Sequence, residues 1–110
     1  EAGATKVLFA SSSPPIVHPN VYGIDMPARS EYVAYGKDSG GICEAIGADW
    51  LIYQDLGDLV EACLSAVDTD LANFDCSCFD GVYVTGGITE DYLRMIEGLR
   101  GDSSKGKASV

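Results

Sequence analysis

The sequence predicts an α/β fold, an incomplete parallel sheet with flanking helices, on three observations. Two short, continuous apolar runs, Lys6-Val7-Leu8-Phe9-Ala10 and Trp50-Leu51-Ile52-Tyr53, have the length and character of strands buried on both faces. The second run passes through Gln54-Asp55 into Leu56, Leu59, Val60, Cys63, Leu64 and Val67, the spacing of one helical stripe. A strand followed at once by a helix is one unit of an α/β layer, yet the chain supplies too few strands to complete a sheet.

Each element has its own local reason. Glu1-Ala2-Gly3-Ala4 reads as the last turn of a helix entering the first strand, with Gly3 as its stop, so the chain reads as a piece of a longer one. The first strand ends in Ser11-Ser12-Ser13-Pro14-Pro15, which is polar and stiff. The segment Pro19-Asn20-Val21-Tyr22-Gly23-Ile24-Asp25-Met26-Pro27 then reads as a contact loop. Prolines fix its ends and Gly23 permits angles closed to other residues, so Tyr22, Asp25 and Met26 are presented by a stiff frame. The stretch from Ala28 to Tyr35 predicts a short helix with Gly36 past its end, too brief to stand without packing. Asp38 or Ser39 caps the next helix, which carries Ile42, Cys43 and Ile46 and stops at Gly47. Gly40 and Gly41 weaken it by about 1 kcal/mol each relative to Ala.

Asp55 is the N-cap of the helix after the second strand, with Asp58 at its positive end. An irregular segment and a short strand precede the last helix, and Gly86-Gly87 reads as a turn before it. Thr89 caps that helix, Glu90 and Asp91 fill its first turn, and Ile88 packs on Leu93 as a hydrophobic staple. Tyr92, Leu93, Ile96 and Leu99 form its buried face. Residues 1–100 thus read as one portion of a domain and 101–110, with almost nothing apolar to bury, as a flexible tail.

Composition narrows the function classes. At 110 residues and 46% hydrophobic, the chain holds one modest core and not two domains. Its net charge of −10, from 17 acids against 7 Lys and Arg, repels polyphosphates and argues against nucleic acid as a partner. No apolar run approaches a membrane span and no basic-then-apolar start resembles a signal peptide, so the expected compartment is the cytoplasm. The four cysteines, Cys43, Cys63, Cys76 and Cys78, read as structural thiols. Cys43 and Cys63 fall on apolar helix faces, and Cys76-Ser77-Cys78 lacks the two-residue gap of zinc knuckles. A cysteine-based metal or redox protein is the weakest reading.

In open α/β sheets ligands bind beyond the carboxyl ends of the strands. Ser11 to Pro15 and the loop closed by Pro27 hold that position after the first strand. The Ser11 hydroxyl and freed backbone N–H groups suit phosphate or ribose oxygens, Tyr22 or Met26 suits a base or sugar face, and Asp25 suits an acid, base or acceptor. The same residues also fit a structural loop, in which Tyr22, Ile24 and Met26 fill core and Asp25 caps the short helix that follows. His18 is the only histidine and reads as a spacer, so a Ser-His-Asp or Cys-His site is not expected. No glycine-rich phosphate loop is present, and the pairs Asp55/Asp58 and Asp68/Asp70 suit caps and solvated faces better than a Mg²⁺ cage.

Several blocks in one order carry a resemblance: Ala2-Gly3-Ala4-x-x-Val7, Ser12-Ser13-Pro14-Pro15, Tyr22-Gly23-Ile24-Asp25, Ile46-Gly47-Ala48-Asp49 and Gly81-x-Tyr83-x-Thr85. Over Glu1 to about Arg100 the chain resembles the C-terminal part of glutamine phosphoribosylpyrophosphate amidotransferases. The resemblance implies the C-terminal part of a phosphoribosyltransferase-type domain in an enzyme that makes 5-phosphoribosylamine from glutamine and phosphoribosyl pyrophosphate, opening de novo purine synthesis. It implies the rest of that polypeptide as partner, homo-oligomers of the full-length enzyme, and Mg²⁺ held by residues outside this chain. The glutaminase domain with its terminal cysteine is missing too, so the isolated chain is expected to be inactive. The nucleotide contacts that the resemblance implies are Ser11, Tyr22, Asp25, Met26 and Pro27. One subgroup of the family carries an iron–sulfur cluster, but Asn20 stands at its first cysteine position and only Cys78 matches the later pair, which implies the cluster-free subgroup. The alternative is a stand-alone nucleotide-binding or regulatory module without chemistry of its own.

Overall fold

The computed structural model describes residues 2–68 and 70–101. Of these, 2–15 and 36–74 form one compact unit, and 16–35 with 75–101 form another. The class is α/β: a small parallel sheet with helices. The predicted tail beyond Gly101 lies outside the described residues.

In the first unit, strand β1 (Leu8–Ala10) pairs in parallel with β2 (Trp50–Ile52), Leu8 opposite Trp50, Phe9 opposite Leu51 and Ala10 opposite Ile52. Asp49 extends the pairing at one end: its N–H donates to the Val7 carbonyl (2.8 Å) and its carboxylate accepts the Val7 N–H (2.6 Å). At the other end the Ser11 N–H donates to the Ile52 carbonyl (2.9 Å). The expectation of strands buried on both faces fails: Leu8 is 62% exposed and Phe9 49%. Two three-residue strands leave both sheet faces wider than the single packed helix beside them can cover. Gly3 does take a left-handed φ of +88°, but among the described residues no helix precedes β1.

Helix α1 (Ser39–Ala45) packs against β2 and buries Ile42. Its N-cap is Asp38, whose carboxylate accepts the Gly41 N–H at 2.8 Å, and Gly47 (φ +69°) follows its end, as the sequence predicts. Helix α2 (Leu56–Ala66) starts at Asp55, which accepts the Asp58 N–H at 3.0 Å. The predicted stripe has the right spacing but little cover. Leu56, Leu59, Val60 and Leu64 are half-buried, while Cys63 and Val67 are exposed, against the expectation of Cys63 on a packed face.

In the second unit the helix predicted from Ala28 shrinks to one 3₁₀ turn, Arg29–Glu31, followed by turns. So short a segment cannot repay helix nucleation. A helix α3 (Ser77–Asp80), ended by Gly81 at φ +72°, precedes Val82-Tyr83-Val84, and no strand forms in this unit among the described residues. The predicted short strand has no neighbouring ladder to join. Instead the chain turns, the Gly86 N–H donating to the Tyr83 carbonyl (2.9 Å), with Gly86 and Gly87 both left-handed. Helix α4 (Glu90–Arg100) is capped by Thr89, whose hydroxyl accepts the Tyr92 N–H at 3.2 Å. Of its predicted apolar face only Leu93 is buried and Ile96 half-buried; Tyr92 and Leu99 are exposed.

Candidate functional site

The loop from Pro19 to Pro27 lies wholly within the second unit and is built around Asn20. Asn20 is 4% exposed. Its side-chain carbonyl accepts the N–H groups of Tyr22 (2.9 Å) and Ile24 (3.0 Å), folding the chain back over Gly23, whose φ of +108° only glycine adopts readily. The Asn20 N–H donates to the Met26 sulfur at 3.2 Å, and its own carbonyl accepts Nη1 of Arg100 at 2.9 Å. The bounds of the loop are legible in the sequence; its buried organiser is not, because Asn20 stands out there only as a position lacking cysteine. An Asx turn closed over a glycine is the signal that could have found it.

The predicted contact residues divide. Tyr22 keeps an exposed ring, but its hydroxyl shares a hydrogen bond with the Thr85 hydroxyl (3.0 Å) and accepts the Thr85 N–H (3.3 Å). That ring stands edge-on to Tyr83, centroids 6.3 Å apart, and the Tyr83 hydroxyl donates to the Pro19 carbonyl at 2.7 Å. Met26 is half-buried with its sulfur turned to Asn20. Pro27 is exposed. Asp25 is exposed, and its carboxylate makes no hydrogen bond or ion pair among the described residues. It does not cap the turn that follows: the Ala28 N–H goes to Glu31 Oε2 at 2.8 Å. Ser11 belongs to the first unit, where its hydroxyl donates to the Ser13 carbonyl (3.0 Å) and accepts the Ser13 N–H (3.3 Å).

No family model matches the chain. Among curated proteins, an amidophosphoribosyltransferase of Pseudomonas aeruginosa is 47% identical over 110 residues, all of this chain and 22% of that protein. Amidophosphoribosyltransferases of Escherichia coli (50% over 105 residues, 96% of this chain and 21% of that protein) and Schizosaccharomyces pombe (43% over 100 residues, 91% and 18%) match as well. By sequence, the chain is similar over nearly its whole length to one part of these amidophosphoribosyltransferases. It spans about a fifth of the length of the curated relatives it matches.

Two of the five blocks that carry the resemblance, the one at Tyr22 and the one at Tyr83 and Thr85, are drawn together by the Tyr22–Thr85 and Tyr83–Pro19 bonds. The electrostatics around them leave little positive charge for a phosphate. Arg29 donates to Glu97 through Nε (3.0 Å) and to Glu90 through Nη2 (2.8 Å), which raises its pKa further and holds both carboxyls below their ordinary range. Arg94 lies 3.9 Å from both Glu90 and Asp91, and Arg100 is bonded to Asn20. A cavity of about 460 Å³ is lined by Ala28, Arg29, Ser30, Tyr35, Glu97 and Gly98, and its charged walls are this same ion pair.

All four cysteines are free thiols. Burial pushes Cys76 and Cys78 above the ordinary thiol range, with nearby Asp75 adding to the rise in both and Asp80 in Cys76, so neither is a poised nucleophile. Among the described residues no three His, Cys, Asp or Glu side chains gather as metal ligands, and no helix is long and apolar enough to cross a membrane.

Proposed function

We propose that the chain forms part of the phosphoribosyltransferase domain of an amidophosphoribosyltransferase, an enzyme making 5-phosphoribosylamine from glutamine and phosphoribosyl pyrophosphate at the first step of purine biosynthesis. The observation that carries this reading is 47–50% identity to bacterial amidophosphoribosyltransferases over nearly the whole chain. Within that enzyme the chain supplies sheet strands and, through the loop at 19–27, one wall of a purine-nucleotide cleft. Asp25 is the acceptor offered there, suited to ribose hydroxyls or an exocyclic amine, and the Tyr22 ring and Pro27 give it apolar flanks. With Arg29, Arg94 and Arg100 already engaged, the phosphate falls to residues other than those described in this unit. The Mg²⁺ that accompanies phosphoribosyl pyrophosphate is likewise held outside the chain, and no iron–sulfur cluster is expected. Further elements of the reading are a cytoplasmic homo-oligomer and glutamine as the nitrogen donor.

Asp25→Asn, made in the polypeptide that carries this chain, tests the loop. A hydrogen bond to a charged group contributes roughly 1.5–3 kcal/mol, so inhibition by AMP and GMP, or the KM for phosphoribosyl pyrophosphate, should weaken by about tenfold or more. Unchanged kinetics in both assays would remove the loop from the cleft.

A further inference from the structure

We infer that Asn20 is the positioning residue of the 19–27 loop, setting the direction in which Asp25 is presented to a purine nucleotide. The inference rests on the reading of this loop as a nucleotide wall, and its test separates the two. Tyr22 is tied to Thr85 through its hydroxyl and stands edge-on to Tyr83, contacts that hold its side chain at one end of the turn. The backbone of the turn is held by the Asn20 side-chain carbonyl, which takes two N–H groups, at 2.9 and 3.0 Å, from alternate residues. Asp25 follows immediately on the second of these. The prolines at 19 and 27 restrict only the ends of the segment.

Asn20 is itself held from two sides: Met26 Sδ accepts its N–H, and Arg100 donates to its carbonyl from the last turn of α4. Asn20 is also one of only two buried polar or charged residues among those described, the other being Ser77. A buried side-chain carbonyl that takes two backbone N–H groups specifies one conformation, because rotating it orphans both at once. Replacing it with an apolar side chain would leave the Tyr22 and Ile24 N–H groups without their acceptor and release the turn that aims Asp25. The loop would then bind nucleotide only from the fraction of time in which Asp25 happens to be aimed correctly, and apparent affinity falls by that fraction.

The experiment compares Asn20→Ala, Asn20→Asp and Asp25→Asn in the polypeptide that carries this chain, reading inhibition by AMP and GMP. Asn20→Ala is expected to weaken inhibition about tenfold, and Asn20→Asp, which keeps an acceptor for both N–H groups, to recover to within about threefold of the parent. Asn20→Leu, similar in volume but without an acceptor, is expected to stay as weak as Asn20→Ala; inhibition restored by Leu as fully as by Asp would show a merely space-filling role and overturn the inference. Parent-like inhibition in Asn20→Ala beside weakened inhibition in Asp25→Asn overturns the inference and leaves the nucleotide wall standing. Parent-like inhibition and a parent-like KM for phosphoribosyl pyrophosphate in Asp25→Asn together overturn the nucleotide wall, and the inference with it. If Asn20→Ala does not fold, Asn20→Ser, whose hydroxyl is a shorter and weaker acceptor, takes its place and the same results decide.

Discussion

At residue 81 the backbone and a neighbour make the same demand. Gly81 ends α3 at φ +72°, and a Cβ built there would stand 2.9 Å from Cε1 and Nε2 of His18. A side chain in the left-handed region costs roughly 1–2 kcal/mol, and displacing the His18 ring adds up to about 1 kcal/mol. Gly81→Ala should therefore destabilise the protein by about 1–3 kcal/mol, and adding His18→Ala should return only the crowding part. Urea unfolding of the single and double variants measures both; a loss under about 0.5 kcal/mol in Gly81→Ala would contradict the geometry. The sequence shows Gly81 as a component of a motif and His18 as a spacer. It does not show that one exists to make room for the other, since 63 residues separate them and only the fold brings them together.

At the scale of elements, what was legible and what was not divide by range. Asp38, Asp55 and Thr89 were readable as helix caps because a cap is decided within three residues of chain, and all three accept the predicted N–H. The buried face of α4 was misread, because Leu99 and Tyr92 satisfy the helical period whether or not anything covers them. What ties α4 to the turn at 29–31 is charge. Glu97 takes the Arg29 backbone N–H (2.9 Å) as well as its guanidinium, so one carboxylate holds both the turn and its side chain. Hydrogen bonding to Arg29 depresses the Glu97 pKa from its ordinary 4.5, outweighing its partial burial. A depressed carboxylate contributes stability that is present above the unfolded value and is lost as pH falls through the folded one, so this contribution should be intact above about pH 4.5 and vanish below it. Arg29 stays charged throughout and adds no slope of its own in this range. Glu97→Gln should thus lower the melting temperature at pH 7, and the gap between variant and parent should close as the pH is taken toward 3. A gap that stays constant across that range would mean that shape, not charge, holds the turn.

The whole molecule leaves its apolar residues uncovered to a degree that decides how the chain behaves alone. Ala28, Ala34, Ile42 and Leu93 are the only hydrophobic residues buried among those described, while Leu8, Phe9, Trp50, Ile52, Val82 and Val84 are all at least 48% exposed. Parallel strands occur almost only where both faces are covered, and a monomer seldom tolerates so many large apolar side chains in water. Both the strands and their need for cover are legible in the apolar runs at 6–10 and 50–53, and so is a strand count too low to complete the sheet. A stretch spanning about a fifth of its relatives' length would find the missing layers in the remaining sequence of such a protein. The purified 110-residue chain should accordingly bind a dye such as ANS, melt over a broad range and form no phosphoribosylamine, whereas the same residues within a complete amidophosphoribosyltransferase should bind little dye and melt cooperatively. Dye binding separates the two explanations for inactivity. A chain that melts sharply without dye yet stays inactive lacks only catalytic groups, while one that takes up dye lacks its covering layers as well, and the bare faces of β1 and β2 require the second.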